Sequence, residues 1–187
     1  MEALEAIRTR RMIPRVGPDA PSREEISELL ELAVRAPNHH RTEPWRFYVL
    51  AGEERDRLAR AIAEEAVEGG TDEARASADA KAKVERAPVI VVFTCLPSDD
   101  PKVYEQEEMA SVAMAIENFL LGAHAHGLGA MLRTGSTAFH PAISKHLELV
   151  SNEKVVGFVY LGYPVTDRPL TERAPAALRT RWFGSFD

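Results

Sequence analysis

The sequence predicts a single domain over residues 1–187 in which helices and β-strands are mixed. With 187 residues, 45% of them hydrophobic, the chain can bury one core but not two independent ones. Several segments carry apolar residues at helical spacing. The run from Ala87 to Leu96 is instead almost continuously apolar and rich in Val and Ile, which is typical of a strand buried on both faces.

The first half of the chain predicts short, capped elements. Leu4 and Ile7 lie at helical spacing, and we expect both to face inward. Ser22 and Glu25 form a capping box, the side-chain pair that opens a helix. The predicted elements are helices over residues 2–9, 22–35 and 53–67 and a strand over 47–50.

The second half predicts a buried strand followed by a long helix. Residues 105–126 are apolar nearly all round, so this helix should be buried, either centrally or against another subunit. Residues 71–86 are charged and rich in Ala, which predicts an exposed helix with weak core contacts. The other predicted elements are strands over 88–95, 130–133 and 155–161 and a helix over 140–149. The tail from 166 to 187 ends in three aromatic residues, for which a partner subunit is a plausible burial site: Trp182, Phe183 and Phe186.

Composition excludes several classes of protein. A net charge of −6 argues against a general nucleic-acid surface. The single cysteine, Cys95, rules out a disulfide within the chain and argues against a cysteine-based zinc site. No apolar run reaches the roughly 20 residues of a membrane span, and the first residues lack a signal-peptide pattern. We therefore expect a cytoplasmic protein without a membrane partner.

Arginines cluster at the end of the first predicted helix. Arg8, Arg10 and Arg11 fit two interpretations. Cations stabilise a helix C-terminus by meeting its negative dipole end, and guanidinium groups also bind phosphate through their forked donors. The sequence alone leaves both open.

A rigid, cationic loop joins the second helix to the first strand. Residues 35–47 contain three arginines, two histidines, two prolines, one Asn and one Trp. Such donors and acceptors, on side chains with few torsions, can bond the edge of a heteroaromatic ring. The alternative is a stiff surface loop whose Trp45 belongs to the core.

A third segment, residues 129–136, runs from a strand into a glycine-flanked turn. Its small residues allow a ligand to approach the backbone, although an ordinary turn with a solvated Arg133 would look the same. His124 and His126 suggest a metal pair, but on a helix their side chains point about 200° apart. We predict no metal site.

In their order and spacing, these segments resemble the nitroreductase family of flavin mononucleotide (FMN) enzymes. The marks are Arg10-Arg11 followed by Pro14, then Ala36-Pro37-Asn38-His39 leading to Glu43-Pro44-Trp45-Arg46-Phe47, and later Leu128-Gly129-Ala130 and the stretch 157–162. The resemblance covers nearly the whole chain and is strongest to the short members of that family. It implies an α+β, three-layer fold with a mainly antiparallel central sheet flanked by helices. It also implies an intertwined homodimer whose C-terminal tail, about 166–187, wraps onto the partner.

The resemblance implies ten FMN-binding residues and no catalytic side chain. The phosphate and ribityl chain would meet Arg10, Arg11 and Met12 and also Leu132, Arg133 and Thr134. Contacts to phosphate, ribityl or ring edge would come from Arg35, Pro37, Asn38 and His39, which can belong to the opposite subunit. Two positions depart from the common family pattern, Met12 where serine is frequent and Glu43 where glutamine is frequent.

The implied activity is that of an oxidoreductase with NAD(P)H, either NADH or NADPH, as co-substrate. A hydride would pass through flavin N5 to a small-molecule acceptor, such as a nitroaromatic or a quinone, by a ping-pong mechanism. Two alternatives are a different flavin reaction on the same scaffold, such as flavin reduction or dehalogenation, and a dimer that binds or sequesters FMN without catalysis. Residues 69–86 are the candidate substrate lid.

Overall fold

The computed structural model describes residues 1–139 and 141–185. Its centre is a four-stranded antiparallel sheet in the order β1-β2-β4-β3. The strands are β1 (Trp45–Ala51), β2 (Val89–Cys95), β3 (Gly129–Arg133) and β4 (Lys154–Gly162). The α+β prediction is therefore confirmed, and each predicted strand is present within three residues of its expected ends.

Six α-helices lie within the described residues. They are α1 (Ala3–Thr9), α2 (Arg23–Ala33), α3 (Glu53–Glu68), α4 (Glu73–Val84), α5 (Glu105–Ala125) and α6 (Pro141–His146). The capping box before α2 forms as predicted, because the Ser22 side chain accepts from the Glu25 N–H and Glu25 bonds back to the Ser22 N–H. His140, the predicted first residue of the last helix, lies outside the described residues. None of the described helices is both long and apolar enough to cross a membrane.

The core consists of two apolar layers, one on each face of the sheet. Successive side chains of a strand point to opposite faces, and β2 is buried along its whole length. Val91 and Phe93 therefore join the layer beneath α2 and α5, whereas Ile90 and Val92 join the layer beneath α3, α4 and α6. This arrangement gives the three layers that the family resemblance implied.

Helix α4 contacts the core more closely than predicted. Ala76, Ala80 and Val84 are buried, and Ala80 and Val84 belong to the same apolar layer as Leu58 and Ile62 of α3. Alanine side chains are short, so the two helices approach each other closely. The expectation of weak core contacts was wrong.

Two apolar surfaces face outward in the single chain. Leu4 and Ile7 of α1 are 65% and 62% exposed, so the prediction that both face inward was wrong. Helix α1 rests on α5 chiefly through Ala6 and polar contacts at its C-terminal end. Helix α5 buries one side in the core and exposes Met114 on another.

The tail after β4 has little regular structure and lies entirely on the surface. Every described residue from 163 to 185 is exposed, and only Ala176–Arg179 form a short 3-10 helix. The side chains of Trp182 and Phe183 are 72% and 84% exposed. Phe186, the third aromatic residue of the predicted cluster, lies outside the described residues.

Candidate functional site

The first pocket lies where α1 ends, at the outer edge of β3, and is covered by the tail. We call it the tail pocket. It has a volume of about 540 Å³, and five arginines line it together with Met12 and Met131: Arg8, Arg10, Arg11, Arg168 and Arg173. Sequence reasoning singled out the first three of these arginines. The structure adds two from a part of the chain more than 150 residues away.

Each of the two arginines that follow α1 is held by a carboxylate. Arg10 Nε lies 2.9 Å from Glu117 Oε1 on α5. Arg11 pairs through Nη2 with Asp167 of the tail, and its Nη1 donates to the Thr9 carbonyl at 3.1 Å. The Nε atom of Arg11 is buried and has no hydrogen-bond partner among the described residues. Buried donors are nearly always paired, so this N–H is suited to an acceptor on a ligand.

Met12 reaches the pocket through its backbone as well as its side chain. The side chain packs against the layer beneath α2 and α5. Its carbonyl accepts from Arg168 Nη1 at 3.1 Å, and the next N–H, that of Ile13, donates to the Ala130 carbonyl at 2.9 Å. These bonds fix the segment after α1 against the edge of β3 and the tail.

The second pocket lies on the α3–α4 side of the sheet, and we call it the strand pocket. Its volume is about 280 Å³, and Arg133 and Thr134 line it with Lys83, Arg86 and Tyr160. Within residues 1–139 and 141–185, no hydrogen bond or ion pair holds the side chains of the three cations. Burial raises the pKa of Tyr160, while the charges of Arg133 and Arg86 act in the opposite direction.

Strand β3 connects the two pockets. Met131 lines the tail pocket and Arg133 the strand pocket. Residues two apart on a strand share a face and lie about 6.6 Å apart, so the pockets are neighbours. Leu132 points to the opposite face and packs against the core. There a Cβ on Gly157 would lie 2.8 Å from Leu132 Cδ1, which explains the glycine.

The loop between α2 and β1 is strained and internally bonded. His40, Arg41 and Glu43 all have positive φ, a region that non-glycine residues rarely adopt. Asn38 holds the loop together: its Oδ1 accepts from the Glu43 N–H at 2.7 Å, and its Nδ2 lies 3.3 Å from both Thr42 Oγ1 and Ser111 Oγ. Strain of this kind clusters at functional sites.

The exposed residues of this loop face solvent in the single chain. Arg35, Pro37 and His39 are exposed, and the rings of His39 and His40 meet edge to face at 4.1 Å. The Glu43 side chain is also exposed, and Arg46 bonds the Glu43 carbonyl, not its carboxylate. Glu43 lines neither pocket.

The ten residues expected to bind one ligand fall into separate places in one chain. The loop touches α5 at Ser111, whereas Arg10 meets α5 at Glu117, six residues or about 9 Å further along the helix. Thr9 meets His124, which is thirteen residues or about 20 Å from Ser111. Arg10, Arg11 and Met12 lie in the tail pocket, Arg133 and Thr134 in the strand pocket, and the loop residues in neither.

The two histidines at the end of α5 have different partners. His124 Nε2 lies 2.8 Å from Thr9 Oγ1, and His126 Nε2 lies 3.7 Å from Glu28 Oε1. Among the described residues, no three His, Cys, Asp or Glu side chains are grouped so that they could hold a metal ion.

Sequence reasoning missed four cations of the two pockets. Lys83 and Arg86 stand in and just after the charged helix α4, and Arg168 and Arg173 stand in the proline-containing tail. No local pattern marks them. The one available signal was the recurrence of arginine in an acidic chain.

Comparison with known proteins agrees with this fold. The model of the nitroreductase family matches residues 7–163, so the chain belongs to the nitroreductase family. It is 32% identical over 164 residues to YdjA of Escherichia coli K12, provisionally named an NAD(P)H nitroreductase, and the match covers 88% of this chain and 89% of that protein.

Solved structures show the same architecture. A nitroreductase-like family protein from Bacillus cereus superposes with a TM-score of 0.85 at 24% identity, over 98% of this chain and 96% of that one. The FMN and NADPH-dependent nitroreductase NfnB from Sphigopyxis sp. strain HMH superposes with a TM-score of 0.80 at 18% identity, over 98% and 100% of the two chains. Both similarities concern the fold.

Proposed function

We propose that this chain is an FMN-dependent oxidoreductase that uses NAD(P)H to reduce a small acceptor such as a nitroaromatic or a quinone. The observation that carries the proposal is the tail pocket, which five arginines line. Two of them pair with carboxylates, and the buried Arg11 Nε has no hydrogen-bond partner among the described residues. NfnB, which has the same fold, depends on FMN and NADPH. Family membership supports the reaction class, and the two pockets support the cofactor.

The tail pocket fits a phosphate monoester. Phosphate carries up to two negative charges, and guanidinium groups bind its oxygens through parallel N–H donors. Arg10 and Arg11 are already oriented by Glu117 and the Thr9 carbonyl, so little side-chain freedom would be lost on binding. We assign the FMN phosphate and the lower ribityl chain to this pocket.

The strand pocket fits the polar edge of the flavin ring. Lys83, Arg86 and Arg133 would hold this edge, and bound FMN would supply hydride transfer between NAD(P)H and the acceptor in two half-reactions, which predicts ping-pong kinetics. Lys83, Arg86 and Arg133 place positive charge where the ring gains negative charge on reduction. No side chain of the protein needs to act as a nucleophile or a general base.

We further propose a homodimer that completes the site. The loop containing Arg35, Pro37, Asn38 and His39 reaches neither pocket of its own chain, and we infer that it meets the cofactor bound by a second copy. The outward apolar faces of α1 and α5 are candidate contacts between copies. The tail, with its exposed aromatic residues, would pack on the partner.

The visible absorbance of the purified protein tests the proposal. We expect flavin bands, or their appearance after FMN is added, and bleaching of these bands by NADPH or NADH without oxygen. Reoxidation by a nitroaromatic or a quinone should then give parallel lines in double-reciprocal plots. Bands that persist with both nucleotides would favour a protein that stores flavin, and a chain that binds no FMN would refute the proposal.

A further inference from the structure

The two carboxylates of the tail pocket are held in different ways. Glu117 projects from the long helix α5, whose backbone is packed on the core, and its side chain is partly exposed beside Arg10. Asp167 belongs to the irregular tail, and its side chain is 86% exposed, whereas that of its partner Arg11 is 24% exposed. Asp167 can therefore leave Arg11 and enter water at small cost, and it is the more exposed of the two carboxylates, since the Glu117 side chain is 48% exposed.

Asp167 pairs with Arg11, whose guanidinium group has an unpaired N–H among the described residues. Arg11 gives Nη1 to the Thr9 carbonyl and Nη2 to Asp167, and its buried Nε has no partner among the described residues. A phosphate that reached Nε would share this guanidinium with the Asp167 carboxylate. Two anions on one guanidinium repel each other, so the carboxylate weakens phosphate binding for as long as it stays.

We propose that Asp167 is an exchangeable counter-ion that competes with the phosphate of the flavin for Arg11 and so sets the affinity for FMN. The inference rests on the proposed function, which places that phosphate in the tail pocket. In the free protein Asp167 neutralises Arg11, and on binding the phosphate replaces it.

Two local features support this exchange. Hydrogen bonds from Arg11 and from the Arg168 N–H, together with the charge of Arg11, lower the pKa of Asp167, so the competing carboxylate is charged at neutral pH. Arg168 also bonds the Met12 carbonyl at 3.1 Å. The tail can thus stay attached beside the pocket after the Asp167 side chain has moved away.

The test compares Asp167→Asn with the wild-type full-length chain after removal of any bound flavin. Fluorescence titrations with FMN and with riboflavin, which lacks the phosphate, give the two affinities. Exposed ion pairs contribute little, so we expect FMN to bind about two- to fivefold more tightly to the variant at low salt. The gain should shrink at ~0.3 M salt through screening, and riboflavin should bind both proteins equally.

A matched control is Asp99→Asn, the same substitution at an exposed loop residue far along the chain from the pocket, which should leave both affinities unchanged. Weaker FMN binding to Asp167→Asn would overturn the inference, since Asp167 would then position Arg11 for the phosphate. Equal tightening of riboflavin, or an unchanged FMN affinity, would also overturn it. If the wild-type chain binds no FMN, the proposed function itself fails. If the wild-type chain binds FMN and Asp167→Asn binds it with the same affinity, only the counter-ion role of Asp167 is refuted.

Discussion

At the scale of single residues, the neighbours of an arginine decide what it can bind. Arg10 and Arg11 are adjacent in sequence, yet Arg10 pairs through Nε with a carboxylate on α5, whereas the buried Nε of Arg11 has no hydrogen-bond partner in the part of the chain that the structure describes. Arg133 differs from both, because no side chain among the described residues pairs with it. Under the proposed function, these differences suit the three arginines to separate parts of a flavin nucleotide.

We predict that Arg10→Ala and Arg133→Ala both weaken FMN binding, but for different reasons. A hydrogen bond to a charged group contributes about 1.5–3 kcal/mol, which corresponds to a roughly 10- to 150-fold loss of affinity. The Arg10 loss should vanish with riboflavin, and the Arg133 loss should remain. Flavin titrations measure both, with Arg60→Ala, an exposed position of α3, as the control. Unchanged titrations in both variants would contradict the site.

The pH dependence of stability provides a second residue-scale prediction. Thr9 donates its hydroxyl proton to the Glu5 carbonyl at 2.7 Å, so its oxygen accepts from His124 Nε2. Burial, and then the charges of Arg11 and Arg10, lower the pKa of His124 from its ordinary 6.5. Below pH 6.5 the unfolded chain therefore binds more protons, and the free energy of unfolding falls as the pH decreases.

His124→Gln keeps an N–H donor that does not titrate. We expect thermal unfolding of this variant between about pH 7 and pH 5 to depend less on pH than that of the wild-type chain. The same dependence in both proteins would show that His124 does not contribute.

At the scale of elements, sequence patterns predict which face is apolar but not what covers it. The continuous run in β2 predicted burial on both faces, and the structure confirms it. The stripe on α1 was read correctly as apolar and wrongly as inward, because the described residues leave Leu4 and Ile7 exposed. Helix α4 appeared peripheral since alanine gives a weak apolar signal, although small side chains allow α3 and α4 to pack closely.

The close approach of β3 to β4 depends on the missing side chain of Gly157. In Gly157→Ala, the new Cβ would lie 2.8 Å from Leu132 Cδ1 and 3.2 Å from the Arg133 carbonyl oxygen. Crowding in a packed core costs about 1–3 kcal/mol, and here it would move the strand that carries Arg133. We expect a lower free energy of unfolding by urea denaturation and weaker FMN binding.

Gly69→Ala is the control for this substitution. Its Cβ would meet only Ala66 and Glu65 carbonyl oxygens, at 3.5 and 3.6 Å, and its φ is negative, −77°. If Gly157→Ala and Gly69→Ala have the same free energy of unfolding, β3 and β4 have room to separate and the prediction is wrong.

At the scale of the whole molecule, the residues of the predicted site do not meet in one place within one chain, because the loop lines neither pocket. The order and spacing of the motifs in the sequence indicated the family, and the family resemblance correctly predicted the fold. The position of the loop relative to the pockets could not be predicted from the sequence, because it depends on contacts with α5 between residues far apart in the chain. The loop contacts α5 at Ser111, and Arg10 contacts it at Glu117. The cations contributed by α4 and the tail depend on contacts across the fold and have no local pattern.

The end of the tail carries two exposed aromatic side chains, Trp182 and Phe183. Removing residues 181–187 should weaken a dimer and lower the melting temperature, because Trp182 and Phe183 would lose their burial against a partner. Fully burying a large apolar side chain contributes about 1.5–3 kcal/mol, so the loss should be visible as dissociation at micromolar concentration by light scattering. Arg181→Ala, which keeps both aromatic residues, is the matched control and should remain dimeric. A truncated chain that stays dimeric with an unchanged melting temperature would refute burial of the tail on a partner and leave α1 and α5 as the candidate contacts.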